Sequence, residues 1–461
     1  MTAWPGRGLA LLVAGTFFME NLDGTIIATA APRMAASFGV PSVDISAAMT
    51  AYLVTLAVGI PASGWLASRF GTRAVFGSAI VIFTVASGLC AASVSLPMLI
   101  GMRVLQGLGG AMMVPVGRLA VLRSTDRRDL IRAIAYLTWP GLIAPVLAPV
   151  LGGFFTQYAS WRWIFLVNLP LGVLAGLLAA RMVPAARAGV ESTLDWLGFL
   201  LTGVSLAALV LGMHWVGQSP VHWGGVVAAL AVGAGTGLLA VRHLRRGAQP
   251  LMDLRTLRVR TYRIATAGGS AYRAVITAVP FLLPLLFQDA FGWDPVHSGL
   301  VVIAVFAGNV GIKPFTTPIM RRFPFRPVLL ASLAGGVATL VGCALLTTAT
   351  PLWLILAVLF VSGVFRSIGF TAYNTLQFAD VGKAELPSAN TLAATSQQLA
   401  AGLGVALGAL ALRVGVPIAG DAGTGAYRVA FVILAAAMAA CALEVVRLPA
   451  GAGDQVRAGS R

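Results

Sequence analysis

The sequence predicts an all-α polytopic membrane protein with about fourteen membrane-crossing helices. Three observations carry that expectation. Of 461 residues, 58% are hydrophobic and 10% charged, with a mean hydropathy of +0.89; a soluble globular protein has about 25% charged residues. Apolar stretches of about 20 residues, enough to cross a hydrocarbon core as a helix, recur along the whole chain. Basic residues alternate between the two ends of those stretches, as the enrichment of Lys and Arg in cytoplasmic loops requires.

The first span, 8–31, contains FFMENLDGTIIATAAP, with Glu20 and Asp23 three residues apart and so on one helix face. Each carboxylate at mid-membrane costs about 3 kcal/mol, so such residues face a bundle interior or a cavity. The spans at 45–67, 75–94, 97–117, 133–157 and 162–181 complete a six-helix N-terminal bundle within residues 1–190. Two further spans, 195–214 and 223–241, fall within 191–245. A basic linker at 246–262 follows; its RHLRRGAQPLMDLRTLRVRTYR context, from 242, reads as an amphipathic segment on the anionic cytoplasmic leaflet. Spans at 263–287, 297–317, 327–347, 351–371, 388–412 and 427–446 form a second six-helix bundle over 263–446, and 447–461 is a cytoplasmic tail.

With both termini cytoplasmic, the inside segments collect Arg69, Arg73, Arg118, Arg123, Arg132, the run Arg242–Arg263, Arg321, Arg322 and Arg326. The outside segments hold Arg33, Arg162, Arg413 and Arg428. The net charge of +17 is therefore membrane topology, not a nucleic-acid surface. Cys90, Cys343 and Cys441 are scattered in apolar runs without metal or disulfide spacing. The four histidines fall near predicted helix ends, and no cleavable signal is evident. WLASRFGTRAVF (65–76) has a weak echo in PIMRRFPFRPVL (318–329), each after the second span of its half, the two-halved organisation of transporters.

Charges inside spans mark candidate function. The first half has Glu20, Asp23 and Arg103; the second has Arg273, Lys313 and Arg366. Three cations there favour an anionic substrate, or else pair with the two acids or with helix carbonyls in a gate between halves. Gln106, one turn from Arg103, and Trp139 are further cavity candidates. In PGLIAPVLAPVLGGFF, the residues Gly141, Pro145, Pro149 and Gly153 recur every fourth position, with Gly152 adjacent. That stripe predicts a bent helix in close contact with its neighbours, whether for packing alone or to limit proton leak. Gly107, Gly109 and Gly110 lack the Lys-Ser/Thr of a phosphate loop, and no nucleophile–base set suggests an enzyme.

GWLASRFGTR, residues 64–73, resembles the loop between helices 2 and 3 of the major facilitator superfamily, and RVLQGLGGA, 103–111, its helix 4 motif. The fourteen spans, LDGTIIATAAP in helix 1 and SWRWIFLVNLPLG at 160–172 resemble its drug:proton antiporter branch. PASGWLASRFG (61–71) and GGAMMVPVGRL (109–119) carry the same likeness. The resemblance implies two six-helix bundles with two extra central helices, and Gly64, Ser68, Arg69, Gly71 and Arg73 as a gating loop. Ser68 stands where the family has an acid, so the latch that acid provides is in question. Helix 1 beside helix 4 makes Asp23–Arg103 the expected pair.

From this follows the expectation of proton-coupled small-molecule efflux by alternating access in the bacterial inner membrane, without an organic cofactor or metal. Asp23, Arg103 and Glu20 are the proton-coupling candidates, with a static ion pair that only fixes packing as the competing reading. The expected partners are a small-molecule substrate, protons and the bilayer, and the chain is expected to be a monomer. Substrates remain open between lipophilic drugs and carboxylates or metal–carboxylate complexes such as citrate. A proton-coupled importer and a transport-inactive sensor are further alternatives.

Overall fold

A computed structural model describes residues 6–126, 129–184, 193–217, 221–247, 250–420, 423–449 and 451–458, and all regular structure among them is helical. α1 (Arg7–Phe38), α2 (Ser46–Gly59) with α3 (Ser63–Phe70), α4 (Thr72–Ala91), α5 (Leu96–Ser124), α6 (Leu130–Tyr158), and α7 (Trp163–Leu166) with α8 (Asn168–Met182) take the six N-terminal span positions. α9 (Trp196–Val216) and α10 (Trp223–Arg246) are the additional pair. α11 (Arg260–Leu285), α12 (Pro295–Gly311) with α13 (Lys313–Arg322), α14 (Phe325–Ala344), α15 (Leu352–Ala379), α16 (Leu386–Ala419) and α17 (Thr424–Val446) take the last six, and a short α18 (Asp454–Ala458) follows.

Twelve spans among the described residues are long and apolar enough to cross a membrane, and a thirteenth arises if α12 and α13, bent by 45° at their break, are one. The 29-residue α6 occupies the remaining predicted position at 133–157. A lipid-facing helix gains little by burying apolar surface, so close backbone approach holds these bundles together. Where α12 crosses α15, a methyl on Gly308 would meet the Phe360 carbonyl and one on Gly363 the Val305 carbonyl, both inside contact distance.

The helices run longer than the hydropathy predicts. Arg33, Arg413 and Arg428, expected in outside segments, lie within α1, α16 and α17. Arg118 and Arg123, expected in a cytoplasmic loop, lie in the last two turns of α5. The helix continues through Arg118 because its guanidinium finds polar partners across the molecule, as described below. The linker also differs from the expected leaflet-bound segment. Leu251 and Met252 are buried against Leu244, Trp65, Leu194, Phe199 and Leu254, because two apolar side chains gain more from this crevice than from the basic face around them.

The two halves meet through α16 against α3 and α5, and through α6 against α12, α13 and α15. α9 packs between α2 and α16. Leu206 and Val210 contact Ala57, Leu53 and Leu399, while Val216 and Met213 contact Ala406 and Ala409. α10 packs mainly on α9.

Candidate transport site

The motif at 103–111 works through its glycines. A methyl on Gly107 would lie 2.8 Å from Thr55 Cβ in α2, and one on Gly109 2.7 Å from the Phe83 amide nitrogen in α4. α5 can therefore approach both helices closely enough to hold Arg103 and Gln106 between them. Both side chains are fully buried, as is Asp23.

Asp23 is saturated with donors. Its Oδ2 accepts from Arg103 Nη1 at 2.5 Å, and its Oδ1 from Gln106 Nε2 and Asn168 Nδ2, each at 2.9 Å. Arg103 Nη1 also donates to Gln106 Oε1 at 2.7 Å. Gln106 and Asn168 donate onward to Ser87 Oγ at 3.2 and 2.9 Å, and that hydroxyl donates to the Phe165 carbonyl at 3.0 Å. The guanidinium lies 4.0 Å above the Tyr52 ring, a desolvated cation–π contact. Removing one partner from a buried pair costs about 3–5 kcal/mol, so this network holds α1, α4, α5 and α8 in register. Asn168, Ser87 and Tyr52 belong to this network and sequence reasoning misses them; for Asn168 and Ser87 the available signal is a neutral polar residue inside the apolar runs VNLPLG and VASGLC.

Next to this network, between the halves, lies a cavity of about 170 Å³. Its polar lining comprises Glu20 and Asn21 of α1, Arg118 of α5, Arg273 of α11, and Gln397 and Gln398 of α16. Arg118 Nη1 donates to Gln397 Oε1 at 3.2 Å and its Nη2 to Asn374 Oδ1 at 3.0 Å. Arg273 lies 4.3 Å from the centre of the Phe370 ring. The cavity thus brings together Glu20 and Arg273 from the predicted set and adds Arg118. Gln106 belongs to the Asp23 network instead. Lys313 Nζ donates to Thr371 Oγ1 at 2.9 Å, and Arg366 lies behind Tyr272, whose hydroxyl donates to the Arg366 carbonyl at 3.1 Å. Neither lines this cavity.

Contacts between halves concentrate at the end bearing the 64–73 loop. Asn390 Nδ2 donates to the Pro115 carbonyl at 2.8 Å, and Arg321 Nη2 lies 3.9 Å from Asp129 Oδ1. A methyl on Gly64 would strike Thr391 Oγ1, so with threonine at 391 a glycine at 64 admits the start of α16 this close. Gly71 has φ 85°, a turn conformation that suits glycine, where α3 hands over to α4. Arg73 donates to the Ala180 carbonyl near the end of α8, and Arg69 is exposed.

Ser68 lines a second cavity, of about 190 Å³, with Gly64, Asp195, Leu251 and Thr391 among its walls. Asp195 caps α9: its Oδ1 accepts from the Gly198 amide and from His243 Nε2, both at 2.8 Å, and its Oδ2 from the Leu251 amide at 3.2 Å. Burial pushes the Asp195 pKa up, but those amides and the imidazole outweigh it and hold the carboxyl below its ordinary range.

On α6, a methyl on Gly152 would meet Thr29 Oγ1 and lie 3.1 Å from Ile26 Cγ1 of α1, whereas Gly153 has nothing within 4 Å. The close approach to α1 therefore falls one residue before the predicted stripe. The side chains of Trp139, Pro145 and Pro149, and the position Gly141, lie outside the described residues.

A family model described as Major Facilitator Superfamily matches residues 13–261 and 265–458. A protein of Serratia proteamaculans named "Putative multidrug resistance protein MdtD" is 39% identical over 405 residues, 86% of this chain and 83% of its own. The protein of the same name from Cronobacter sakazakii is 40% identical over 407 residues, covering 87% and 85%. Among solved structures, the human organic anion transporter MFSD10 superposes with a TM-score of 0.67 at 14% identity, over 96% of this chain and 100% of that one. The fold, the multi-pass topology and these matches agree: the chain belongs to the major facilitator superfamily.

Proposed function

We propose that this protein is an alternating-access exporter of the bacterial inner membrane, coupling outward movement of a small molecule to inward movement of protons. The observation that carries the reading is the sealed Asp23–Arg103 pair set directly beside the cavity between the halves. A carboxylate held by an arginine keeps its charge while the pair is closed and takes up a proton when the arginine moves off. Rocking of the halves supplies that movement. The multidrug resistance name of relatives at about 40% identity supports efflux, and the arginine-rich end bearing the 64–73 loop is the cytoplasmic one on the same reading.

Arg118 and Arg273 in the cavity wall support a second reading of the substrate, as a carboxylate or metal–carboxylate anion in place of a lipophilic drug. Proteoliposomes with an internal pH indicator test both. Ethidium and citrate are applied separately, and wild-type protein is expected to move protons in answer to one of them. Asp23→Asn is expected to abolish that proton movement while leaving exchange of the transported compound measurable. Coupled transport unchanged in Asp23→Asn sinks the proton-site assignment, and ethidium moved in preference to citrate sinks the anion reading.

A further inference from the structure

Asp23 has no exposed surface and does not line the cavity, whereas Glu20, one turn away on α1, does. A proton entering from the cavity must therefore cross the wall between them. That wall holds two buried oxygens without a hydrogen-bond partner, Glu20 Oε2 and the Tyr52 hydroxyl. Both flank Gly110: a methyl built there would lie 3.3 Å from the Tyr52 hydroxyl and 3.6 Å from Glu20 Oε2. The same Tyr52 ring carries the Arg103 guanidinium at 4.0 Å. Each polar atom left buried and unsatisfied carries its full desolvation penalty, and a phenylalanine ring would serve a packing role alone without incurring it. Cys90, the other titratable group at the network, donates to Gln106 Oε1 at 3.6 Å from α4, a helix absent from the cavity lining.

Resting on the proton-coupled reading, we infer that Glu20 and Tyr52 form a two-step relay from cavity to Asp23, with Gly110 keeping the passage open. While the pair is closed the Tyr52 hydroxyl is bonded to neither acid. When Arg103 leaves Asp23 Oδ2 the hydroxyl moves to bridge them, and the Glu20 carboxyl gives its proton to the hydroxyl oxygen as the hydroxyl's own proton passes to Asp23 Oδ2. The phenol is neutral before and after, and one proton has moved between the two carboxylates. Glu20 is then the acid that samples the cavity, and Asp23 the one that answers it. Tyr52 is a proton-relaying residue that touches neither substrate nor lipid.

The test follows carboxyl infrared bands of the full-length protein in lipid nanodiscs after a pH jump, with Glu20→Gln and Asp23→Asn assigning the two bands. Tyr52→Phe keeps the ring beneath the guanidinium, so the fold and the cation–π contact persist. It is expected to slow the Asp23 band by about 100-fold, the low end of what a positioned proton-transfer group contributes, without changing the rate of the Glu20 band. Gly110→Ala, which places a methyl within 3.6 Å of both oxygens, is expected to do the same. An Asp23 band at the wild-type rate in Tyr52→Phe, or in Glu20→Gln, overturns the relay. A pH jump that evokes no Asp23 band at all overturns the proton-site reading beneath it, a distinct result.

Discussion

At the scale of residues, Asp195 shows what charge can do outside the apolar core. Its folded pKa is depressed, so its contribution is present above the ordinary carboxylate value of about 3.9 and is lost as pH falls through the lower folded value. Asp195→Asn keeps an oxygen that can cap α9 but loses the charge. It is therefore expected to lower the melting temperature at pH 7, by a loss of about 0.3–1 kcal/mol, the scale of a charge at a helix N-terminus. The gap from wild type should narrow as pH falls below the ordinary carboxylate range; a constant gap would show that charge plays no part. Charged residues are also the most legible in sequence. Asp23 and Arg103 stand out because an acid and a base in apolar runs demand a partner. Asn168, Ser87 and Tyr52 do not stand out, since amides, hydroxyls and phenols inside spans are common and only packing shows which carbonyl or carboxylate they meet. Arg118 misleads for the opposite reason: a positive charge after a hydrophobic run marks a loop unless amides wait for it across the molecule.

At the scale of elements, hydropathy places the spans but not their ends or their contact faces. α1 and α16 overrun their predicted bounds because helical hydrogen bonding continues past the apolar window into interfacial residues. The fifth-span stripe shows the second limit. A four-residue period picks Gly153, but the contact with α1 that leaves no room for a methyl belongs to Gly152; rotation of a helix by one residue is invisible to spacing alone. Gly152→Ala is expected to force α1 and α6 apart at about 1–3 kcal/mol, the usual range for overpacking, and to lower the melting temperature of the solubilised protein. Gly153→Ala, facing open space, is expected to leave it unchanged. Equal effects from the two would mean that the helix is rotated in the membrane.

At the scale of the whole molecule, the division into two bundles with an inserted pair is readable from the run of spans and the repeated basic loops. How the halves close on one another is not, because it depends on contacts between residues more than 250 positions apart, such as Pro115 with Asn390. A methyl at position 64 would lie 3.5 Å from Thr391 Cβ, within the range bridged by a disulfide. Gly64→Cys combined with Thr391→Cys is therefore expected to cross-link on mild oxidation in native membranes, halting transport until a reductant is added. Failure to cross-link would show that this end does not close in the bilayer. The wedge made by α9 has a further consequence. Of the two seams along which the bundles abut, the one between α2 and α16 is roofed by α9 from Asp195 to Val216, while the other, where α6 meets α12, α13 and α15, lacks such a cover among the described helices. The inserted pair therefore screens one seam from the lipid, while the seam along α6 meets it directly.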